Sequence, residues 1–137
     1  MKTLTPRTAS NQGGLALLEV LISLLIFSLG ILGLIGLQTR AVSLSVDAED
    51  RNRAALLANE VASTMWLQGS VTLSAEKETA WKASVADPTK GGLPNGVGTV
   101  TAVTGTTKSA DIKITWHPPS RSSDADDSNF TTRVVLP

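Results

Sequence analysis

The amino-acid sequence predicts an α+β protein. One long amino-terminal helix, about residues 15–67, carries a small antiparallel β-sheet on its outer half. Three observations predict this class. Residues 15–37 are apolar apart from Glu19, Ser23 and Ser28. Residues 39–67 contain neither Gly nor Pro and bring apolar side chains back at three- and four-residue steps, the period of a helix face. From residue 98 onward, short runs rich in Val, Thr and Ile are separated by turn residues, the pattern of strands.

The first segment is long enough to span a bilayer. Its 23 residues, at a rise of about 1.5 Å each, cross the roughly 30 Å hydrocarbon core with some tilt. Lys2 and Arg7 precede it, while Arg40 and then Asp47, Glu49 and Asp50 follow. Cations kept on the cytoplasmic side place the carboxyl-terminal part outside. Within the span Glu19 stands out, because an acidic side chain at membrane depth costs roughly 2.5–3.5 kcal/mol on insertion. A secretory signal peptide would have an apolar region of only about 7–15 residues followed by small residues, whereas Gly13 and Gly14 come before this one. A plain signal anchor fits the length and leaves Glu19 without a role.

The residues Gly14-Leu15-Ala16-Leu17-Leu18-Glu19-Val20-Leu21-Ile22 resemble the class III signal of type IV prepilins, a short basic leader ending in Gly before an apolar helix with Glu fifth. The likeness continues through Ser28-Leu29-Gly30-Ile31-Leu32-Gly33-Leu34-Ile35-Gly36-Leu37-Gln38, which is similar to the PilV group of minor pilins. The family usually begins its mature chain with Phe and then Thr or Ser, where this chain has Leu15 and Ala16. The resemblance implies that residues 1–14 are a leader, cut by a prepilin peptidase between Gly14 and Leu15, with methylation of the new amino group on Leu15. Cleavage at Gly13 is the rival position and would make Glu19 sixth. It also implies that Glu19 pairs with the amino terminus of a neighbouring subunit during filament assembly. Low dielectric strengthens such a pair and offsets the cost each charge bears alone in lipid. The plainer alternative is a Glu19 that is protonated or reaches the interface unpaired.

Gly30, Gly33 and Gly36 recur every third residue. They permit close helix approach or local unwinding, although the spacing differs from the four-residue repeat of membrane dimers. Major pilins commonly carry a proline where Gly36 falls.

Beyond Gln38 the helix continues over residues 38–68 as an amphipathic segment. Leu37, Ala41, Leu44, Ala48, Ala55, Ala58, Ala62 and Met65 form one stripe, interrupted by Arg51 and widened by Leu57 and Val61. Asp47, Glu49, Asp50, Arg53 and Glu60 make the opposite, solvated face. With the apolar segment this gives a helix of about 53 residues and roughly 80 Å, which Gly69 caps. Residues 69–137 then form a small α+β domain, too short for a large core of its own, so the helix stripe supplies the missing surface. Ser74 caps a short helix that runs to Ala86, with Glu76 and Glu78 in its first turn. Gly91-Gly92-Leu93-Pro94-Asn95-Gly96 makes a turn, and strands follow at about 98–103, 111–117 and 130–136. Leu93-Pro94-Asn95-Gly96 and Ile114-Thr115-Trp116 are again similar to PilV-like chains.

Composition narrows the chemistry. There is no cysteine, so the disulfide that many pilins carry is ruled out. The 12 basic and 12 acidic residues balance, and removal of Lys2 and Arg7 leaves an excess of two acids, with no nucleic-acid footprint. His117 is the only histidine. No thiol and no phosphate-binding glycine loop accompanies it, so enzyme chemistry and a cofactor are not expected. Asp124, Asp126 and Asp127 offer carboxylate oxygens to calcium, but without the Gly and terminal Glu of a helix–loop–helix calcium site. A solvated loop with no metal is the simpler reading.

The resemblance therefore implies a minor pilin of the type IV pilus, helping to prime assembly within a minor-pilin complex near the filament tip. Its partners would be the prepilin peptidase, other minor pilins, the major pilin and the inner-membrane assembly platform. Adhesion and twitching motility would follow from the pilus. Its place would be the inner membrane, with the amino terminus cytoplasmic and the carboxyl-terminal domain periplasmic, and then the pilus. A type II secretion pseudopilin shares the same signal. A single-pass anchored periplasmic binding domain that never polymerises is the rival of a different kind.

Overall fold

The computed structural model describes residues 13–137; the leader cations Lys2 and Arg7 lie outside the described residues. Helix α1 covers Gly13–Gln68 and α2 Ala75–Ala86. A short 3-10 turn at Pro88–Lys90 precedes β1 (Val97–Ala102), β2 (Ser109–Trp116) and β3 (Ser128–Val135). The protein is thus α+β, a long amino-terminal helix with a small antiparallel sheet, an arrangement consistent with a pilin fold. Among the described residues, those up to Val42 form one unit, and Ser43–Pro137 forms a second.

α1 runs without a break because nothing between its ends removes a backbone donor or forces a turn. It stops at Gly69, whose φ of 64° lies in the left-handed region that glycine adopts freely. There the Ser70 amide donates to the Met65 carbonyl and the Gly69 amide to the Trp66 carbonyl, both at 3.2 Å. This double closure satisfies carbonyls that a helix end otherwise leaves open.

In the first unit the large apolar side chains of residues 15–37 are all exposed, from 42% at Ile31 to 76% at Leu15. The helix is long and apolar enough to cross a membrane. Two of its hydroxyls bond back to the helix: Ser28 Oγ donates to the Leu24 carbonyl at 2.7 Å and Thr39 Oγ1 to the Ile35 carbonyl at 3.1 Å. A bond of that kind removes the cost of an unpaired hydroxyl in hydrocarbon.

The second unit has its own core. Ala54, Leu57, Ala58, Val61 and Met65 of α1 meet Trp81 and Val85 of α2, Leu93, and Ala110, Ile112, Ile114 and Trp116 of β2. The sheet order is β1-β2-β3, antiparallel throughout. Gly98, Ile114 and Phe130 stand opposite one another across it, and strand alternation turns these positions toward the core. Each strand starts one or two residues before its expected limit and ends one residue before it. The ladder itself fixes those ends, since Ser109 pairs with Val135 and Trp116 with Ser128.

Two expectations for α1 are corrected. The covered line is Asp50, Ala54, Leu57, Ala58, Val61 and Met65: the expected stripe is covered at Ala58 and Met65 and at the widening Leu57 and Val61, but not along its other alanines. Ala48 is exposed, Ala55 and Ala62 are half-buried, and Leu44 is 58% exposed. Burying Leu57 and Val61 removes more apolar area from water than burying Ala55 and Ala62, so the helix rolls toward the larger side chains. Asp50 shares their line. It is therefore carried inward to 6% exposure instead of joining the solvated face.

α2 is held at both ends and in the middle. The Ser74 hydroxyl accepts from the Lys77 amide, and the Asp87 amide donates to the Ser84 carbonyl. Between them the buried Trp81 indole donates to the Leu57 carbonyl of α1 at 2.9 Å. A β-carbon at Gly98 of β1 would stand 2.6 Å from the Trp81 ring, so β1 reaches α2 only because that position is glycine.

Candidate functional site

The residues singled out from the sequence lie along the first turns of α1. Gly14 and Leu15 sit in its opening turn and are exposed, Leu15 to 76%. Glu19 follows one turn later, also exposed. At helical spacing its side chain shares a face with Ala16 and Ser23, and these residues line a shallow apolar groove with Val20, Leu24 and Phe27. Among the described residues Glu19 joins no ion pair. The site is a carboxylate on an apolar surface, flanked by small side chains that let another chain come close.

Gly30, Gly33 and Gly36 lie in unbroken helix, and a β-carbon at any of them would meet nothing within 4 Å. Nothing among the described residues demands glycine at these positions. They narrow one stretch of an exposed apolar helix, which suits packing against other helices.

The loop after β2 carries the other acidic candidates, and it does not gather them. Asp127 Oδ1 lies 3.0 Å from His117 Nδ1, while Asp124 and Asp126 are exposed. Among the described residues no three His, Asp or Glu side chains converge as metal ligands. The loop is instead tied back to α1, where Arg121 meets Asp47 at 3.6 Å.

Sequence reasoning missed the burial of several polar atoms. Asp47 Oδ1, Asp50 Oδ2, Trp116 Nε1 and His117 Nε2 are buried without a hydrogen-bond partner among the described residues. Burial pushes the Asp50 carboxyl above the ordinary carboxylate range; Arg53 draws it down, and Glu49 and Asp47 push it further up. The missed signal was spacing: Asp50 stands four residues before Ala54 and seven before Leu57, on the line that becomes the core.

No protein-family model, curated protein or solved structure matches the chain. Function therefore rests on the chemistry of the helix and on the motif that its first turns carry.

Proposed function

We propose that the chain is a minor pilin of the type IV pilus. One observation carries the reading: the one carboxylate of the exposed, membrane-length apolar segment 15–37 stands fifth after Gly14. A charge so placed is costly in lipid and becomes favourable once an opposite charge meets it in a dry interface. The positive amino terminus of a neighbouring subunit supplies such a charge if cleavage falls between Gly14 and Leu15. The exposed helix then serves first as an anchor in the inner membrane and later as packing surface in a filament. The second unit keeps its own core outside the cytoplasm. Prepilin peptidase, an assembly platform, other minor pilins and the major pilin are the partners this reading requires.

The test is the mass of the protein isolated from the cells that make it. Loss of residues 1–14 together with one added methyl group, dependent on the peptidase gene, is the expected result. A full-length mass in cells that process other prepilins overturns the reading.

A further inference from the structure

Of the five asparagines in the chain, Asn129 alone is followed two residues later by Ser or Thr, in Asp127-Ser128-Asn129-Phe130-Thr131. An Asn-x-Ser/Thr triplet without proline is the acceptor pattern for N-linked glycan transfer on exported chains. The fold adds what the triplet alone lacks. β3 alternates, so Phe130 packs against the core while Asn129 and Thr131, both exposed, stand together on the outer face of the sheet. β3 is an edge strand that pairs only with β2, and Asn129 is its second residue, just past the 117–127 loop. The apolar line of α1 lies on the other face of the sheet, so a glycan at Asn129 would stand clear of the core.

We propose that Asn129 is an acceptor for N-linked glycosylation, with Thr131 as the second recognised residue. The donor class is a glycan carried on a polyprenyl diphosphate. The Asn129 amide nitrogen bonds to the anomeric carbon of the first sugar as the bond from that carbon to the diphosphate oxygen breaks. The lipid diphosphate leaves with the electron pair, and a base of the transferase takes the amide proton. Asn129 lies in the ladder opposite Thr115, so transfer to it precedes closure of β3 into the sheet. The outer face then displays a hydrated glycan beside Thr115 and Thr131, while α1 keeps its exposed surface for other helices.

This inference rests on the proposed function only in placing Ser43–Pro137 outside the cytoplasm. Intact-mass and peptide mapping of the protein from its own cells reads the two separately. Leader loss reports export and processing; an increment of whole sugar residues on the peptide containing Asn129 reports transfer. We expect complete loss of that increment in Asn129→Gln and in Thr131→Ala, its retention in Thr131→Ser, and no change in Asn59→Gln. A processed protein whose Asn129 peptide is unmodified overturns the inference, as does an increment that persists in Asn129→Gln. Unchanged circular dichroism of Asn129→Gln, whose side chain is exposed, keeps a folding defect from imitating the loss.

Discussion

Asp50 is the residue whose surroundings work against its charge. It is 6% exposed, Oδ2 has no partner, and burial raises its carboxyl above the ordinary range. A raised folded-state value means that the folded chain holds the proton more tightly than the unfolded chain. The contribution to stability is then fully present below the unfolded carboxylate range and is lost as pH rises through the folded value. Asp111 behaves oppositely. Two hydrogen bonds from Arg133, at 2.6 and 2.9 Å, lower its carboxyl, so its contribution is present at neutral pH and fades as pH falls. We therefore expect Asp50→Asn to raise the melting temperature of the full chain in detergent at pH 7. The gain should be about 1 kcal/mol, the order of cost for leaving a buried charged group unpaired. The difference should close as pH is lowered into the ordinary carboxylate range. A variant that melts lower than wild type at pH 7 would show that the ionised carboxylate holds the fold together, and the assignment would fail.

At the scale of elements, the contact between α2 and β1 is a close joint in the second unit, with 2.6 Å between a β-carbon at Gly98 and the Trp81 ring. The Trp81 ring cannot retreat from Gly98 without giving up its 2.9 Å hydrogen bond to the Leu57 carbonyl. Gly98→Ala should accordingly cost about 1–3 kcal/mol, the usual penalty of overpacking a filled core. The ring atoms that a new β-carbon would meet belong to the six-membered ring of the indole, which Trp81→Phe removes. Denaturation midpoints of the two single variants and the double variant should therefore show favourable coupling, the pair costing less than the sum. Strict additivity would mean that Gly98 is required for another reason. Elements of this size were legible in the sequence because their signals are local: the cap at Ser74, the glycine at the end of α1, the alternation of Ile112, Ile114 and Trp116. The roll of α1 was not. Leu57 and Val61 share a helical period with Ala55 and Ala62, and only the facing sheet decides which line it covers. The same holds for the 121–129 acids, whose crowding in sequence says nothing about convergence in space. Glu19 stands out in the sequence by its charge within an apolar run, and among the described residues no ion pair engages it.

The whole molecule joins a helical segment whose apolar surface is bare to a unit that buries an apolar core of its own. Leu15, Leu25 and Phe27 are 76%, 62% and 65% exposed, whereas Met65, Ile112 and Ile114 are fully buried. The second unit can satisfy itself, but the first needs lipid or other helices around it. Under the proposed function the same surface meets both in turn, and Glu19 sets the direction of transfer. In lipid its charge is a cost; beside a cationic amino terminus in a dry helix bundle it is a gain. Removing it should move the balance in opposite directions at the two locations. Glu19→Ala should insert into the membrane at least as well as wild type, because an insertion cost of roughly 2.5 kcal/mol disappears. Peptidase cleavage at Gly14 should persist, since the cut lies more than one helical turn away. Incorporation into sheared filaments should fall about tenfold or more, the effect of losing about 1.4 kcal/mol or more of pairing at the growing end. Quantitative blotting of membrane and filament fractions from the same cells measures both. A Glu19→Ala protein that accumulates in filaments at the wild-type ratio would mean that the carboxylate takes no part in assembly, and the charge in the apolar helix would need another explanation.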